Sequence, residues 1–334
     1  MTKVRNSTID IFRYLAALMV VAIHVHPFSD VHSTLGYLFT EVLTRIGVPF
    51  FFATAGYFYM QKLERGEKVF WSYIKRLLVP YTLWTCIYYV VDFFSWGYGD
   101  LPRFLKNSVI QYLITGSAYH FWFFPALIFS VCAVTVLYKW KMKKLLIPVS
   151  IGLYLLGCLG TSYYQLGVKI PLLGKLFDFS QFELIRRWTM MAFPFFISGY
   201  LVRLLQEKAE ACSGKRLWLL FAGAVVLWGG EICLVELLNW RQSVTVTVGL
   251  YLLLVVTLLL LIRYPMPKWQ KSSGVCRVLA NFTYYSHVFW IMMFRLLELS
   301  LASTPKFLVV VALTGISGYV VYKINHKWLN KLAY

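Results

Sequence analysis

Ten stretches of this chain are each long and apolar enough to cross a lipid bilayer, and that repetition constrains the fold more than any other feature. They cover residues 9–27, 36–60, 78–96, 121–138, 145–161, 189–206, 216–235, 244–262, 276–297 and 306–323. A bilayer interior offers backbone polar groups no water, so such a chain satisfies them within helices. The expected fold class is all-α: a polytopic membrane protein of about ten transmembrane helices, with residues 1–334 forming one integral-membrane domain. Composition agrees. Of the 334 residues, 59% are hydrophobic and only 14% are charged, far less charge than a soluble domain carries. Twelve Trp and 23 Tyr suit aromatic belts at two membrane surfaces.

An even number of spans returns both termini to one side. Of the 33 Lys and Arg, 22 lie in the connections that share a side with the termini and 9 in the opposite set. The positive-inside rule then puts both termini in the cytoplasm. The same bias accounts for the net charge of +19. It favours membrane lipids and anionic cytosolic ligands as partners, and no nucleic acid. The first span is no cleaved leader, because HPFSD follows it rather than a small-x-small site. Cys86, Cys132, Cys158, Cys212, Cys233 and Cys276 show no metal-ligand or redox spacing.

The first span, IDIFRYLAALMVVAIHVHP, is apolar yet carries Asp10, Arg13, His24 and His26. Titratable groups inside a spanning helix are costly and mark chemistry or a water-filled path. Arg13 and His24 are eleven residues apart, so they lie within roughly 20° of one helix face and about 16 Å apart along it. Asp10 falls within about 40° of that stripe, whereas His26 lies about 200° round from His24 and belongs to the interface. In the expected topology His24 faces outward and Asp10 and Arg13 face the cytosol.

Further along, Glu41 and Arg45 are four apart and can pair. Pro49 and Gly56 allow a kink or a close helix approach. Lys75 and Arg76 lie just before Pro80, where a basic pair could bind phosphates or merely obey the positive-inside rule. Residues 102–117 are too polar to span and read as an amphipathic helix on the outer surface. His120 and Trp122 open the fourth span, where an aromatic belt is the bland explanation. Arg186 and Arg187 end the longest outer loop and could face a substrate or form a solvated rim. The sixth span, TMMAFPFFISGYLV, echoes GVPFFFATAGYFYM of the second, a weak internal repeat. Glu231 is an isolated intramembrane acid suited to a helix–helix hydrogen bond. His287 lies mid-span in the ninth segment, beside Ser286. The NFT triplet near it sits at a cytoplasmic entrance, where glycosylation does not reach.

No phosphate-cradling glycine loop, His-Glu-x-x-His zinc helix or Gly-x-Ser-x-Gly elbow is present. That argues against an ATPase, a metalloprotease and a soluble-type hydrolase, and no metal site is expected. An imidazole deep in a bundle, with cations at the far end, fits two activities. One is group transfer from an anionic cytosolic donor to a hydroxyl. The other is proton-coupled transport through a His, Asp and Arg relay. Composition and spacing leave both open.

The sequence resembles the acyltransferase 3 family of bacterial integral-membrane acyltransferases. The likeness rests on Asp10, Arg13 and His24 in Asp-x-x-Arg-x10-His, on GVPFFFATAGYF with Gly47, Pro49, Phe51, Gly56 and Tyr57, and on IKRLLVPY. It continues through His120, Trp122 and Phe123 and ends with Tyr284 to His287. It covers essentially the whole chain in order. Two departures stand out: Ala55 replaces the family's Ser before Gly56, and Tyr73 stands where a first Arg would precede Lys75-Arg76.

The resemblance implies transfer of an acyl group, usually acetyl, from cytosolic acyl-CoA to a hydroxyl of an envelope glycan or similar acceptor. The donor is a substrate, and no tightly bound cofactor is implied. His24 would act as general base or transient acyl carrier, with Asp10 orienting Arg13. Arg13, Arg45, Lys75 and Arg76 would bind the donor. His120, Trp122, Arg187 and His287 would contact the acceptor. The protein would be multi-pass in the bacterial cytoplasmic membrane, and homo-oligomerisation stays open. AAxxVVAIHxxPF and RIxVPFFFxxxGYF are also similar to the membrane domain of serine racemases linked to vancomycin resistance. There this domain is associated with serine uptake and a racemase domain follows. The chain stops at Tyr334 without one, as a stand-alone relative or a membrane half would. Serine handling is therefore the alternative function.

Overall fold

The computed structural model describes residues 6–96, 101–326 and 329–332. No strand occurs among them. Eleven principal helices follow in chain order: α1 (Ser7–Val25), α2 (Gly47–Glu64), α3 (Phe70–Trp96), α4 (Leu101–Ile110), α5 (Phe123–Lys139), α6 (Leu146–Leu159), α7 (Phe193–Ala211), α8 (Gly214–Leu237), α9 (Val248–Arg263), α10 (Gln270–Leu296) and α11 (Ser303–Ile324). Each of the ten apolar segments coincides with a helix. Among the described residues, six helical runs are both long and apolar enough to cross a membrane: Ser7–Val25, Ser33–Glu64, Phe70–Phe94, Phe182–Ala211, Gly214–Leu237 and Ser303–Ile324. Of the other four, α5, α6 and α9 have 17, 14 and 16 residues, and α10 is long but more polar.

The chain forms two compact units. One comprises the described parts of Met1–Gly47, Trp71–Pro125 and Met266–Tyr334. Its centre is the packing of α1 on α10, with α11 beside both. Ala16, Ala17, Val20, Val21 and Ala22 are buried, and small residues let helix backbones approach closely. Both ends of α1 are fixed by named polar contacts. Asn6 accepts hydrogen bonds from the Thr8 and Ile9 amides and so caps the helix. The Ser7 hydroxyl donates to the Met266 carbonyl, and the Met266 amide donates to Thr8. At the other end His26 adopts the left-handed conformation, φ 55°, and returns its amide to the Ala22 carbonyl at 2.9 Å. Asp30 then accepts from the Ser303 hydroxyl and the Thr304 amide at the start of α11.

Between Ser33–Tyr37 and α2 the helix is irregular. Leu38–Val42 forms a wide π turn and Leu43–Ile46 a tight 3-10 turn. Such turns re-aim side chains relative to a regular helix. The segment expected to lie on the surface forms α4, which continues as a π turn over Gln111–Thr115. Leu101, Leu105 and Val109 lie exposed along one side of α4, while the Tyr89 hydroxyl donates to the Ser108 carbonyl.

The second unit comprises Val48–Phe70 and Ala126–Pro265. Here the two Gly-Tyr sequences of the internal repeat meet. A Cβ on Gly56 would stand 1.8 Å from the Phe196 carbonyl oxygen, and one on Gly199 would stand 2.0 Å from that of Ala53. Helices α2 and α7 therefore cross backbone to backbone. Glu231 on α8 caps α9, accepting from the Val248 and Gly249 amides and from the Tyr163 hydroxyl. That is the helix–helix hydrogen-bonding role expected of an isolated intramembrane acid.

Candidate functional site

Three segments of the first unit converge on one cluster of imidazoles. The last turn of α1 carries His24, the turn before α5 carries His120, and the middle of α10 carries His287. The His24 and His287 rings stack, with centroids 5.3 Å apart and planes 20° from parallel. His120 meets His287 edge-on at 4.7 Å and His24 at 6.4 Å. His287 is 0% exposed and His120 2%, whereas His24 is half-buried. Tyr119, 53% exposed, packs its edge on His24 at 4.8 Å, so the cluster opens to its surroundings on the His24 side.

Each histidine is delivered by a specific local device. The turn that presents His120 starts at Gly116, φ 88°, where a Cβ would sit 2.3 Å from the Trp122 amide nitrogen. Only glycine fits that conformation and that approach. The turn is then bolted down: Ser117 hydrogen-bonds Thr85 on α3, the Tyr81 hydroxyl donates to the Tyr112 carbonyl, and the Tyr284 hydroxyl donates to the His120 carbonyl. On α10, the Tyr88 hydroxyl of α3 is spliced into the helix ladder. It donates to the Tyr285 carbonyl at 2.7 Å and accepts from the Phe289 amide at 3.0 Å. Those two backbone groups would bond each other in a regular helix. The two groups that Tyr88 joins bracket His287 in the sequence.

The ring nitrogens of His287 are distinguished by their partners. Nδ1 faces the carbonyls of Thr283 at 3.0 Å and Tyr284 at 2.9 Å. Carbonyls only accept, so Nδ1 carries the proton and Nε2 keeps a lone pair. That Nε2 is buried and makes no hydrogen bond, as are both ring nitrogens of His120. The Tyr285 carbonyl, which also accepts from Tyr88, favours protonation of His120 as the smallest influence on it. Burial and the neighbouring His287 and His24 hold the His120 imidazole well below its usual range, so it is neutral at pH 7. Two buried imidazoles with unpartnered ring nitrogens, beside the half-buried His24, form a site suited to accepting a proton. Among the described residues no group of three or more His, Cys, Asp or Glu is arranged to hold a metal ion.

Arg45 stands at the His24 end, where its charge reaches the His24 ring. It is paired with Glu41, whose other oxygen lies 4.0 Å from His26 Nδ1. The sequence grouped Arg45 with the donor-binding cations. This residue sits on the π and 3-10 turns over Leu38–Ile46, where its charge reaches His24.

The opposite end of α1 has its own cluster. Arg13 is half-buried and lies within electrostatic reach of Asp10, Tyr73, Tyr285 and Arg277. Arg76, exposed on α3, lies over the Tyr73 ring at 5.7 Å and bonds the Ser72 carbonyl. Lys75 is exposed beside it, and Trp122 is half-buried in the His120 turn. Arg187 belongs to the second unit. Its Nε bonds Glu183 at 2.7 Å, and Arg186 bonds both oxygens of the same carboxylate.

Sequence reasoning passed over Tyr88, Tyr119, Gly116 and Arg277. Gly116 in TGSAYHFW was a readable turn signal. Arg277 precedes His287 by ten residues, close to the eleven between Arg13 and His24. Nothing in the sequence marks Tyr88 among so many aromatics.

Comparison with known proteins adds two findings. A family model described as an acyltransferase domain matches residues 6–330. Two curated proteins of Enterococcus faecalis named amino-acid racemase are 30% identical over 195 residues (58% of this chain, 27% of that protein) and 33% identical over 182 residues (53% and 26%). A serine/alanine racemase of Enterococcus gallinarum is 34% identical over 214 residues, 61% of this chain and 30% of that protein. The chain thus spans under a third of the length of these relatives. No solved structure matches it.

Proposed function

The chain belongs to the acyltransferase 3 family, and from that premise we propose that it is a membrane O-acyltransferase that moves an acyl group, acetyl in the first instance, from acyl-CoA to a hydroxyl of an envelope glycan. The observation that carries this reading is the imidazole cluster of His24, His120 and His287. A neutral imidazole in a dry site is suited to take a hydroxyl proton. His24, the half-buried member beside exposed Tyr119, takes that role. The acceptor oxygen attacks the thioester carbon, its proton passes to His24, the C–S bond breaks, and the departing thiolate takes the proton back. His287 stacks on His24 and fixes its ring plane. Arg45 places positive charge near the oxygen that becomes negative during attack. Tyr119, His120 and Trp122 shape the acceptor side.

Arg13 and Arg76, with Lys75, favour the donor phosphates at the other end of α1. In this reading ten helices cross the bacterial cytoplasmic membrane, both termini lie in the cytoplasm, and the donor enters from that side. Arg187, engaged by Glu183, serves the acceptor only if that carboxylate releases it. The test is turnover of radiolabelled acetyl-CoA by the purified protein in nanodiscs, with mass spectrometry of envelope glycans from cells with and without the gene. Absence of acetyl transfer and unchanged glycans would overturn the reading.

A second reading has one observation in its favour: the curated relatives are named amino-acid and serine/alanine racemases. The chain would then handle serine in the membrane. Labelled serine uptake into vesicles without acyl-CoA would establish it, and none is expected of the transferase.

A further inference from the structure

Glu41 holds Arg45 at two points. The guanidinium donates to the Glu41 carboxylate, and Arg45 Nε donates to the Glu41 carbonyl at 3.3 Å. Two contacts from one residue fix the plane of a guanidinium as well as its place. The other carboxylate oxygen lies 4.0 Å from His26 Nδ1. The end of α1 delivers that imidazole: His26 takes φ 55°, two residues after His24. Glycine is the usual residue in such a left-handed cap, so an imidazole there carries a backbone cost. His26, Glu41 and Arg45 all belong to the first unit. They form a row that runs inward from the surface, with side chains 56%, 28% and 17% exposed. At its inner end the Arg45 charge reaches His24.

The backbone supplies an independent observation. The helical run Ser33–Glu64 leaves the α form only over Leu38–Ile46, a π turn followed by a 3-10 turn. Val42, between the two charged residues, has φ −110° and ψ −76°, well off the regular helical values. Glu41 and Arg45 are also the only charged residues from Ser33 to Gln61. Opposite charges four residues apart pair on a regular helix without any such distortion. Neutralising the pair therefore does not account for the two turns. Irregular turns re-aim side chains, and these fall on the pair whose charge reaches the imidazoles.

We propose that Glu41 is a positioning residue for acyl transfer: it fixes the Arg45 guanidinium beside His24, and His26 braces Glu41 from the exposed side. The assignment rests on the acyl-transfer reading and deepens it. Glu41 touches neither substrate and acts through Arg45. Its carboxylate offsets part of the Arg45 charge, so its contribution is geometric. A guanidinium held in place before the reaction needs no rearrangement when the thioester oxygen turns negative.

The test uses the full chain in nanodiscs, radiolabelled acetyl-CoA as donor and an isolated envelope glycan fraction as acceptor. Glu41→Gln is expected to lower kcat about ten- to a hundredfold, since a displacement of about an ångström near the reacting atoms has that effect. The KM for acetyl-CoA should not change. Arg45→Gln should behave alike, and adding Glu41→Gln to it should cost no more than about twofold, because the two act as one. His26→Asn keeps a residue that tolerates the left-handed cap but removes the brace, so kcat should fall by a smaller factor. Unchanged kcat in Glu41→Gln overturns the assignment, and unchanged kcat in His26→Asn overturns the brace. A raised KM for acetyl-CoA with kcat intact also overturns the assignment, because the pair then serves the donor. So does a full multiplicative loss in the double variant, which marks a packing defect. Arg45→Lys keeps the charge without the two-point hold, and unchanged kcat in it overturns the proposal even where Glu41→Gln does not fold. If the unaltered protein transfers no acetyl group, the acyl-transfer reading itself fails, an outcome distinct from the others.

Discussion

The imidazoles of His24 and His287 lie face to face, ring centroids 5.3 Å apart, although 263 positions separate them in the chain. One ring is locked by backbone carbonyls through Nδ1, and the other is half-buried beside Tyr119.

Replacing His24 with Ala removes the proton acceptor at the open side of the cluster. Acyl transfer is expected to fall about a hundred- to ten-thousandfold, the usual worth of a general base. Membrane insertion and detergent-solubilised yield should stay at the level of the unaltered protein. Initial rates with saturating acetyl-CoA, measured beside a size-exclusion profile, decide the matter. Normal rates would remove His24 from the chemistry.

Tyr88→Phe withdraws the hydroxyl spliced between Tyr285 and Phe289. Two buried backbone groups then lose a hydroxyl partner, at a cost of about 1–3 kcal/mol. The helix segment that carries His287 is held less firmly against His24. The expected result is slower turnover with unchanged KM for the donor, and an altered His287 ring resonance in NMR. A variant with unaltered turnover and resonances would show that the inserted hydroxyl is only structural.

Gly116→Ala forces a Cβ into the Phe121–Trp122 backbone at φ 88°. Strain of about 1–3 kcal/mol is expected, read as a lower Tm in detergent and loss of activity. Pro is no remedy, because its φ is fixed near −65°. An unchanged Tm would mean that the turn has another accessible conformation.

Protonating His120 is disfavoured in the folded protein, because burial holds its imidazole well below the usual range. A base with a lowered folded pKa contributes stability that is present above its unfolded value, about 6.5. That stability is lost as pH falls toward the folded value, since the unfolded chain then binds the extra proton. Tm should therefore drop between pH 7 and pH 5, and His120→Asn should flatten that slope. A slope identical in the variant would assign the pH effect to other groups.

Much of the fold was readable because each spanning segment declares itself within one helix. Arg13 and His24 belong to that class: eleven residues of one helix fix their common face. The contact between His24, His120 and His287 was not readable. It depends on a glycine turn and on the packing of α1 against α10, and neither has a period in the sequence. The same holds for Arg45. Its pairing with Glu41 follows from i,i+4 spacing, but its place beside His24 follows from two irregular turns that no apolar pattern reveals. Arg277 counted as one more basic residue at the mouth of a span until α10 was seen against α1. Arg186 and Arg187, which by sequence could face a substrate or form a solvated rim, share the Glu183 carboxylate three and four residues away.

The anchoring of His287 also settles what kind of station it is for a proton. A histidine that conducts must release at one nitrogen what it gains at the other. Nδ1 of His287 points at two carbonyl oxygens, which hold a hydrogen but do not carry it onward. A proton that arrives at Nε2 can leave only by the way it came. His287 is thus a terminus rather than a conduit. Any current of protons across this membrane would have to bypass it, and the charge it takes up stays local to the reaction beside it.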